Sequence, residues 1–369
     1  GGLATDCADA VYAARLIFAF ENRLPFVIID HTGGSNRISN KMSRWDKLPT
    51  ETERVRAMIR WLGDVVSTKT LPRDTYPVAV NKTTIVPGTV WIRPSLEQGF
   101  LDSITALLTG DSKKLEPGHA ELVKSVSEAG SVGLIGSTVP KMVRKLSTAY
   151  SFRILPVDRR NGLRHWIQPD QYGRADSLPN FSHEQFVFGV ETSSGAGDDP
   201  TAHSTNTGRR TLRAWENEVR SRLASRAETR EEKLDRYAKE LCSLAHSRAE
   251  IVLRSERVRQ KLNGGCMDQA AYEAYSTPSR DKRLKESAEH LADTVKGFFQ
   301  SRERALQNPA VQTRLEQCSP IQIAEGRQVK LSALVTKIMN GEISSNPNDT
   351  LDARWGLSSA RNTTCKKYE

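Results

Sequence analysis

Apolar residues at Ala10, Val11, Ala14, Ile17 and Phe18 return at helical intervals behind Thr5 and Asp6, either of which can cap, so residues 5–23 read as a helix. Asn22-Arg23-Leu24-Pro25 stops it, because proline offers no amide and clashes with the preceding turn. The apolar run "FVIID" then reads as a short buried strand that leads into the loop "HTGGSNRISN". "ETERVRAMIRWLGDVVS" reads as a second amphipathic helix, with Glu51 and Glu53 at its electropositive start. From 71 to 170 the texture changes to short β-branched runs punctuated by Pro and Gly: "YPVAVN", "GTVWIRP", "HAELVKSV", "SVGLIGST" and "LRHWIQP". A leading helix followed by several antiparallel strands is an α+β pattern.

Residues 191–208, "ETSSGAGDDPTAHSTNTG", are small, polar and turn-rich, and read as a linker. Beyond them, apolar residues sit at helical intervals among dense mixed charge. Asn263-Gly264-Gly265 ends one helix, and Thr277-Pro278 breaks the next pair, with Ser276 or Ser279 as the cap. The chain therefore divides into an α+β domain (1–190), the linker (191–208), a basic all-α helical domain (209–340) and a tail (341–369). The tail is expected to be loosely ordered except where Trp355 and Cys365 anchor it.

Composition refines the picture. The 369 residues carry a formal net charge of +10, which favours a polyanionic partner: nucleic acid, an anionic cell-wall polymer or a membrane surface, with the helical domain also able to meet a partner protein. Residues 209–318 hold 23 Lys/Arg against 17 Asp/Glu, so the helical domain is the expected docking part, although interspersed signs are also the usual solvated face of a bundle. Zinc-finger spacing, a phosphate-binding glycine loop and an RNA-binding aromatic signature are all missing, which disfavours nucleic acid. No run nears the roughly 20 apolar residues of a transmembrane helix. The first residues are Gly1-Gly2 rather than Met, as in a processed or truncated chain.

The five cysteines are Cys7 at the front and Cys242, Cys266, Cys318 and Cys365 behind. One thiol plus two disulfides stands against five reduced thiols; four cysteines allow three pairings. Cys7 falls in the first turn of the first helix, where the helix field favours a thiolate. A histidine from elsewhere would complete an ion pair and later protonate a leaving amine. His119, after a Pro-Gly turn and at the head of "HAELVKSV", is the best of seven candidates, with His31 in reserve just after a strand. His165 reads as a packing residue beside Trp166, and His183, His203, His246 and His290 lie in loops or on helical surfaces.

"TDCADAVYAARLIFAFENRLPF", "PGTVWIRP" and "PGHAELVKSV" together resemble the papain-like cysteine hydrolases of bacteria, the group of NlpC-type cell-wall endopeptidases and related amidases. In that group a D-C-[small] motif opens a helix and a G-H motif opens a strand of a small antiparallel sheet. The resemblance covers roughly residues 1–170 and implies a papain-like fold, Cys7 as nucleophile and His119 as base. Its implied substrate is a peptide, peptidoglycan peptide in particular, cleaved without cofactor or metal by a secreted or periplasmic enzyme. The family's third residue, on the next strand, falls on Ser137 or Thr138; Asp30, Asn81 or a backbone carbonyl could serve instead. The separation of 112 positions from Cys7 to His119 implies an insertion. Acyl transfer and glutamine deamidation would use the same dyad. A different class of reading makes the front domain a non-catalytic papain-like scaffold and gives the function to the helices.

Overall fold

A computed structural model describes residues 2–32, 37–93, 118–152, 156, 159–187 and 212–368. The expected linker at 191–208 lies outside the described residues. The chain forms two compact units: 1–146 with 151–226, and 147–150 with 227–369.

The front unit holds α1 (Cys7–Glu21), β1 (Val27–Ile29), β2 (Arg37–Ser39), α2 (Glu51–Val65), α3 (Leu71–Asp74), β3 (Thr75–Pro77), β4 (Val90–Arg93), β5 (His119–Val126) and β6 (Val132–Gly136). After β7 (Ser147–Ala149), which groups with the second unit, come β8 (Gly162–Trp166), α4 (Glu184–Val187) and α5 (Leu212–Leu223). Asp6, not Thr5, caps α1: the Asp9 amide donates to Asp6 Oδ1 at 3.1 Å and the Asp6 amide to Asp9 Oδ2 at 3.3 Å. This reciprocal pair satisfies two amides that the helix leaves without partners. Thr50 and Glu53 do the same for α2.

Within this unit the main sheet runs β3-β8-β4-β5-β6 and its paired strands are antiparallel where the register is defined, as in Ile92↔Ala120, Trp91↔Leu163 and Leu122↔Ile135. Alternation sorts its side chains. Val90, Ile92 and Ala120 join Ala8, Val11, Tyr12 and Leu16 of α1 and Met58, Ile59 and Leu62 of α2 in one core. Each buried valine, leucine, isoleucine or methionine among them contributes about 1.5–3 kcal/mol. On the alternate parity, Trp91 packs against Phe152 and Trp215 with ring centroids 4.7 and 5.3 Å away.

Trp215 draws α5 into the front unit, whereas the sequence pattern began the helical domain at 209. Gly130 allows that docking: its φ of +74° suits glycine, and a Cβ there would overlap the Arg220 carbonyl oxygen.

The second unit contains α6 (Arg230–Lys261), α7 (Gln269–Tyr275), α8 (Pro278–Asp293), α9 (Arg302–Leu306), α10 (Pro309–Glu316), β9 (Ile321–Ala324), β10 (Arg327–Val329), α11 (Leu331–Met339) and α12 (Leu351–Arg354). It departs from the all-α expectation by the hairpin β9–β10, whose "IQIA" alternates buried and half-buried positions and turns at Gly326. Its core gathers Leu241, Ala245 and Val252 of α6, Leu284, Ala288 and Leu291 of α8, and Leu334 and Val335 of α11. The α8 cap is Thr277, whose hydroxyl donates to the Asp281 carboxylate at 2.9 Å; Ser276 ends α7.

Disulfides join Cys242 to Cys318 and Cys266 to Cys365; Cys7 forms none. The tail is better ordered than its polarity suggested. Trp355 is fully buried, Cys365 is covalently tied, and Asn346, Asn348, Asp349 and Arg354 are buried as well. Among the described residues no helix is long and apolar enough to cross a membrane.

Candidate active site

Cys7 is the first residue of α1, immediately after the Asp6 cap, and α1 lies on the face of β5 that carries Ala120. Alanine's small side chain suits a closely packed helix. Cys7 Sγ comes within 3.8 Å of the Gly118 carbonyl oxygen, the residue that delivers the chain into β5. The next residue is His119, held at the head of the strand by its pairing with Arg93.

His119 Nε2 stands 3.4 Å from Glu121 Oε1, and the side chains are 8% and 1% exposed. Two positions apart on a strand, they share a face. Gly136 lies alongside on β6, and a Cβ there would sit 2.9 Å from Glu121 Cγ; glycine makes the room that the carboxylate occupies. Alternation thus sends Ala120 beneath α1 and His119 and Glu121 to the other side.

The helix start favours a thiolate at Cys7. Two carboxylates flank it, however. Burial, and then the Asp6 charge, push the Asp9 carboxyl above the ordinary carboxylate range. Lys141 partly offsets this, with Nζ 3.3 Å from Asp9 Oδ2 and donating to the Gly63 carbonyl at 2.8 Å. Cys7 itself is 5% exposed.

Ser137 is buried, and its hydroxyl donates to the Thr5 carbonyl at 3.0 Å. It fastens the end of β6 to the residue before the α1 cap, and its one proton is spent there. Asp30 and Asn81, the other candidates for the third role, accept from Thr32 and Thr83 respectively and build local turns. The carboxylate that meets His119 is Glu121, which sequence reading passed over. Its signal was available: an acidic residue two places along an apolar strand from a candidate base shares that base's face.

No family model matches the chain, and no curated protein or solved structure matches it either.

A second polar cluster surrounds Asp74 on the α1 side. Asp74 is fully buried and accepts from Tyr12 Oη at 2.6 Å, the Ile29 amide at 2.8 Å and Tyr172 Oη at 3.0 Å; His31 Nε2 stands 2.8 Å away. Arg15 lies over the Trp166 ring at 4.3 Å and donates to the Ile167 carbonyl. His31, the reserve base, is therefore partnered by a carboxylate whose position in sequence gave no hint of it. Burial and the Asp74 charge push both phenols above their ordinary range.

His165 packs edge-on to Tyr76, with Nε2 2.6 Å from the Thr84 carbonyl; burial lowers its pKa and that bond partly restores it. His290 packs against Tyr237 and His246 meets Ser319. His203 lies outside the described residues.

Proposed function

We propose that the front unit is a papain-like cysteine hydrolase that opens an amide bond in a peptide, peptidoglycan peptide being the class the sequence motifs favour. One observation carries the reading. A cysteine heads a capped helix with its sulfur against the Gly118 carbonyl, next to a histidine whose ring faces a buried carboxylate.

In the proposed reaction the Cys7 thiolate attacks the carbonyl carbon, and the amides of the first turn of α1 stabilise the oxyanion. His119 protonates the leaving amine, and the acyl group stays on Cys7 as a thioester. Water then attacks that thioester while His119 takes its proton, which releases the acid and restores the Cys7 thiolate beside a protonated His119. Glu121 would stabilise the imidazolium, as a carboxylate does in a triad. An acceptor other than water would make the same steps a transfer.

The two disulfides support an oxidising compartment, secreted or periplasmic. The helical unit would hold an anionic polymer or protein partner, which its excess of basic residues supports.

A second reading, a non-catalytic interaction protein, draws on the burial of Cys7 and on its contact with a backbone carbonyl, as expected of a thiol that merely packs. Labelling with iodoacetamide at pH 6 separates the two. Cys7 is outside both disulfides, so mass spectrometry reads it directly. The hydrolase reading expects Cys7 to react at least about tenfold faster than an unfolded cysteine, and His119→Ala to remove the excess. Slow labelling of both proteins supports the scaffold.

A further inference from the structure

We propose that Cys242, His246 and Cys318 form a redox-gated site in the second unit for a zinc-class divalent ion, open when their disulfide is reduced. Cys242 and His246 are four residues apart on α6 and so lie on one face, one turn from each other. Cys318 follows the end of α10 and brings the third donor to the same spot. Their ligand atoms all lie within 4.8 Å of one another, and among the described residues they are the one such group of three.

The dimensions fit tetrahedral coordination. Zinc–sulfur and zinc–nitrogen bonds of about 2.3 and 2.0–2.1 Å give a sulfur–nitrogen edge of about 3.6 Å and a sulfur–sulfur edge of about 3.8 Å. His246 Nε2 is already 3.8 Å from Cys318 Sγ. The sulfur–sulfur edge is closed by the covalent bond, and breaking that bond lets the sulfurs separate to the required distance. In the oxidised chain the Ser319 hydroxyl and carbonyl oxygens stand 3.0 and 3.1 Å from Nε2; binding a metal exchanges the carbonyl contact for the ion and leaves the ring proton on Nδ1. The Ser319 hydroxyl or a water would fill the fourth position. Two thiolates and one imidazole select zinc-class ions over magnesium or calcium, which prefer oxygen.

The step balances with a dithiol as reductant. The dithiol gives two electrons and two protons to the Cys242–Cys318 bond and becomes a disulfide itself. The metal ion then displaces the two thiol protons and takes both sulfurs and Nε2 as ligands. The covalent tie between α6 and the end of α10 is exchanged for a coordinate one.

The full chain, reduced with dithiothreitol and desalted under nitrogen, would be titrated with cobalt(II), whose thiolate and tetrahedral absorption bands report the ligand set. One equivalent is expected, displaced by zinc, with no binding by the oxidised chain. His246→Ala, at a half-buried position and with both cysteines intact, should weaken binding at least about tenfold, since even supporting residues around metal ligands are worth 10–100-fold. Cys242→Ala combined with Cys318→Ala should abolish the bands. A reduced chain that takes up no cobalt overturns the proposal, as do bands indifferent to His246→Ala. Should reduction alone lower the helical circular dichroism, recovery on adding zinc supports the site and failure to recover overturns it.

Discussion

Both units bury carboxylates, but they satisfy them differently. In the front unit, Asp74 is met by two phenols, an imidazole and a backbone amide, none of them a permanent charge. In the second unit, Asp281 is gripped by Arg248 and by the hydroxyls of Thr277 and Ser345, and Glu228 takes two bonds from Arg236 at 2.8 and 3.0 Å. Guanidinium keeps its charge at any ordinary pH and binds carboxylate through a rigid fork. The second unit adds two disulfides. One unit is thus held by donors that can lose a proton or need their ring positioned by packing; the other is held by fixed charge and covalent bonds. Sensitivity to pH should concentrate in the unit that carries the candidate chemistry.

The largest test of that contrast is Asp74→Ala. It strips the shared acceptor from buried groups on α1, β1 and two loops, and each orphaned donor costs about 1–3 kcal/mol. A loss of about 4 kcal/mol is expected, read by urea denaturation and located by hydrogen exchange. Protection should fall first in β1 and α1 and remain in α6. Uniform loss across both units, or a loss below about 1 kcal/mol, would break the distinction.

Alkaline pH gives a smaller effect. Tyr12 and Tyr172 both titrate above the ordinary phenol value of 10.0, with burial as the first cause. The folded chain therefore holds those protons more tightly than the unfolded one. The stability they contribute is complete below about pH 10 and drains as the pH climbs past it. Front-unit protection should weaken between about pH 10 and 11 while the Arg-based contacts hold. Tyr12→Phe should cost about 2 kcal/mol at pH 8, the worth of a hydrogen bond to a charged acceptor, and flatten much of the alkaline slope. An unchanged slope would remove Tyr12 from the explanation.

Much of this fold is legible along the chain because short-range rules dominate it. The apolar spacing behind Thr5 and Asp6 marks α1, Glu51 and Glu53 mark the start of α2, and "HAELVKSV" and "SVGLIGST" contain β5 and β6. What stays hidden is set by distant partners. The period of α5 is helical wherever it docks, and distant partners such as Trp91 and Phe152 around Trp215, and Gly130 beside Arg220, assign it to the front unit. The hairpin β9–β10 is too short to stand out within a helical stretch. Asp74 looks like an ordinary turn residue until Tyr12, His31 and Tyr172, from 98 positions downstream to 62 upstream, converge on it. Cys7 and His119 carry motif and placement signals; Glu121 carries only parity.

The smallest expected change in stability, and the one closest to chemistry, is Glu121→Gln. The amide keeps the carboxylate's shape beneath β6, where Gly136 leaves space for it, and removes only the charge. The unfolding free energy should shift by about 1 kcal/mol or less, since a hydrogen-bond acceptor remains. A carboxylate that steadies the imidazolium, and through it the Cys7 thiolate, would lower thiol labelling at pH 6 about tenfold when neutralised, equivalent to about 1.4 kcal/mol. A purely packing carboxylate would leave labelling untouched while stability moved by the same small amount. The split between the two readouts assigns the role: reactivity lost with the fold intact ties His119 and Glu121 to the thiol, and equal reactivity returns them to the core. In the second unit the matched change, Glu228→Gln opposite Arg236, should leave Cys7 labelling unchanged, since it removes charge from a contact that serves only the fold.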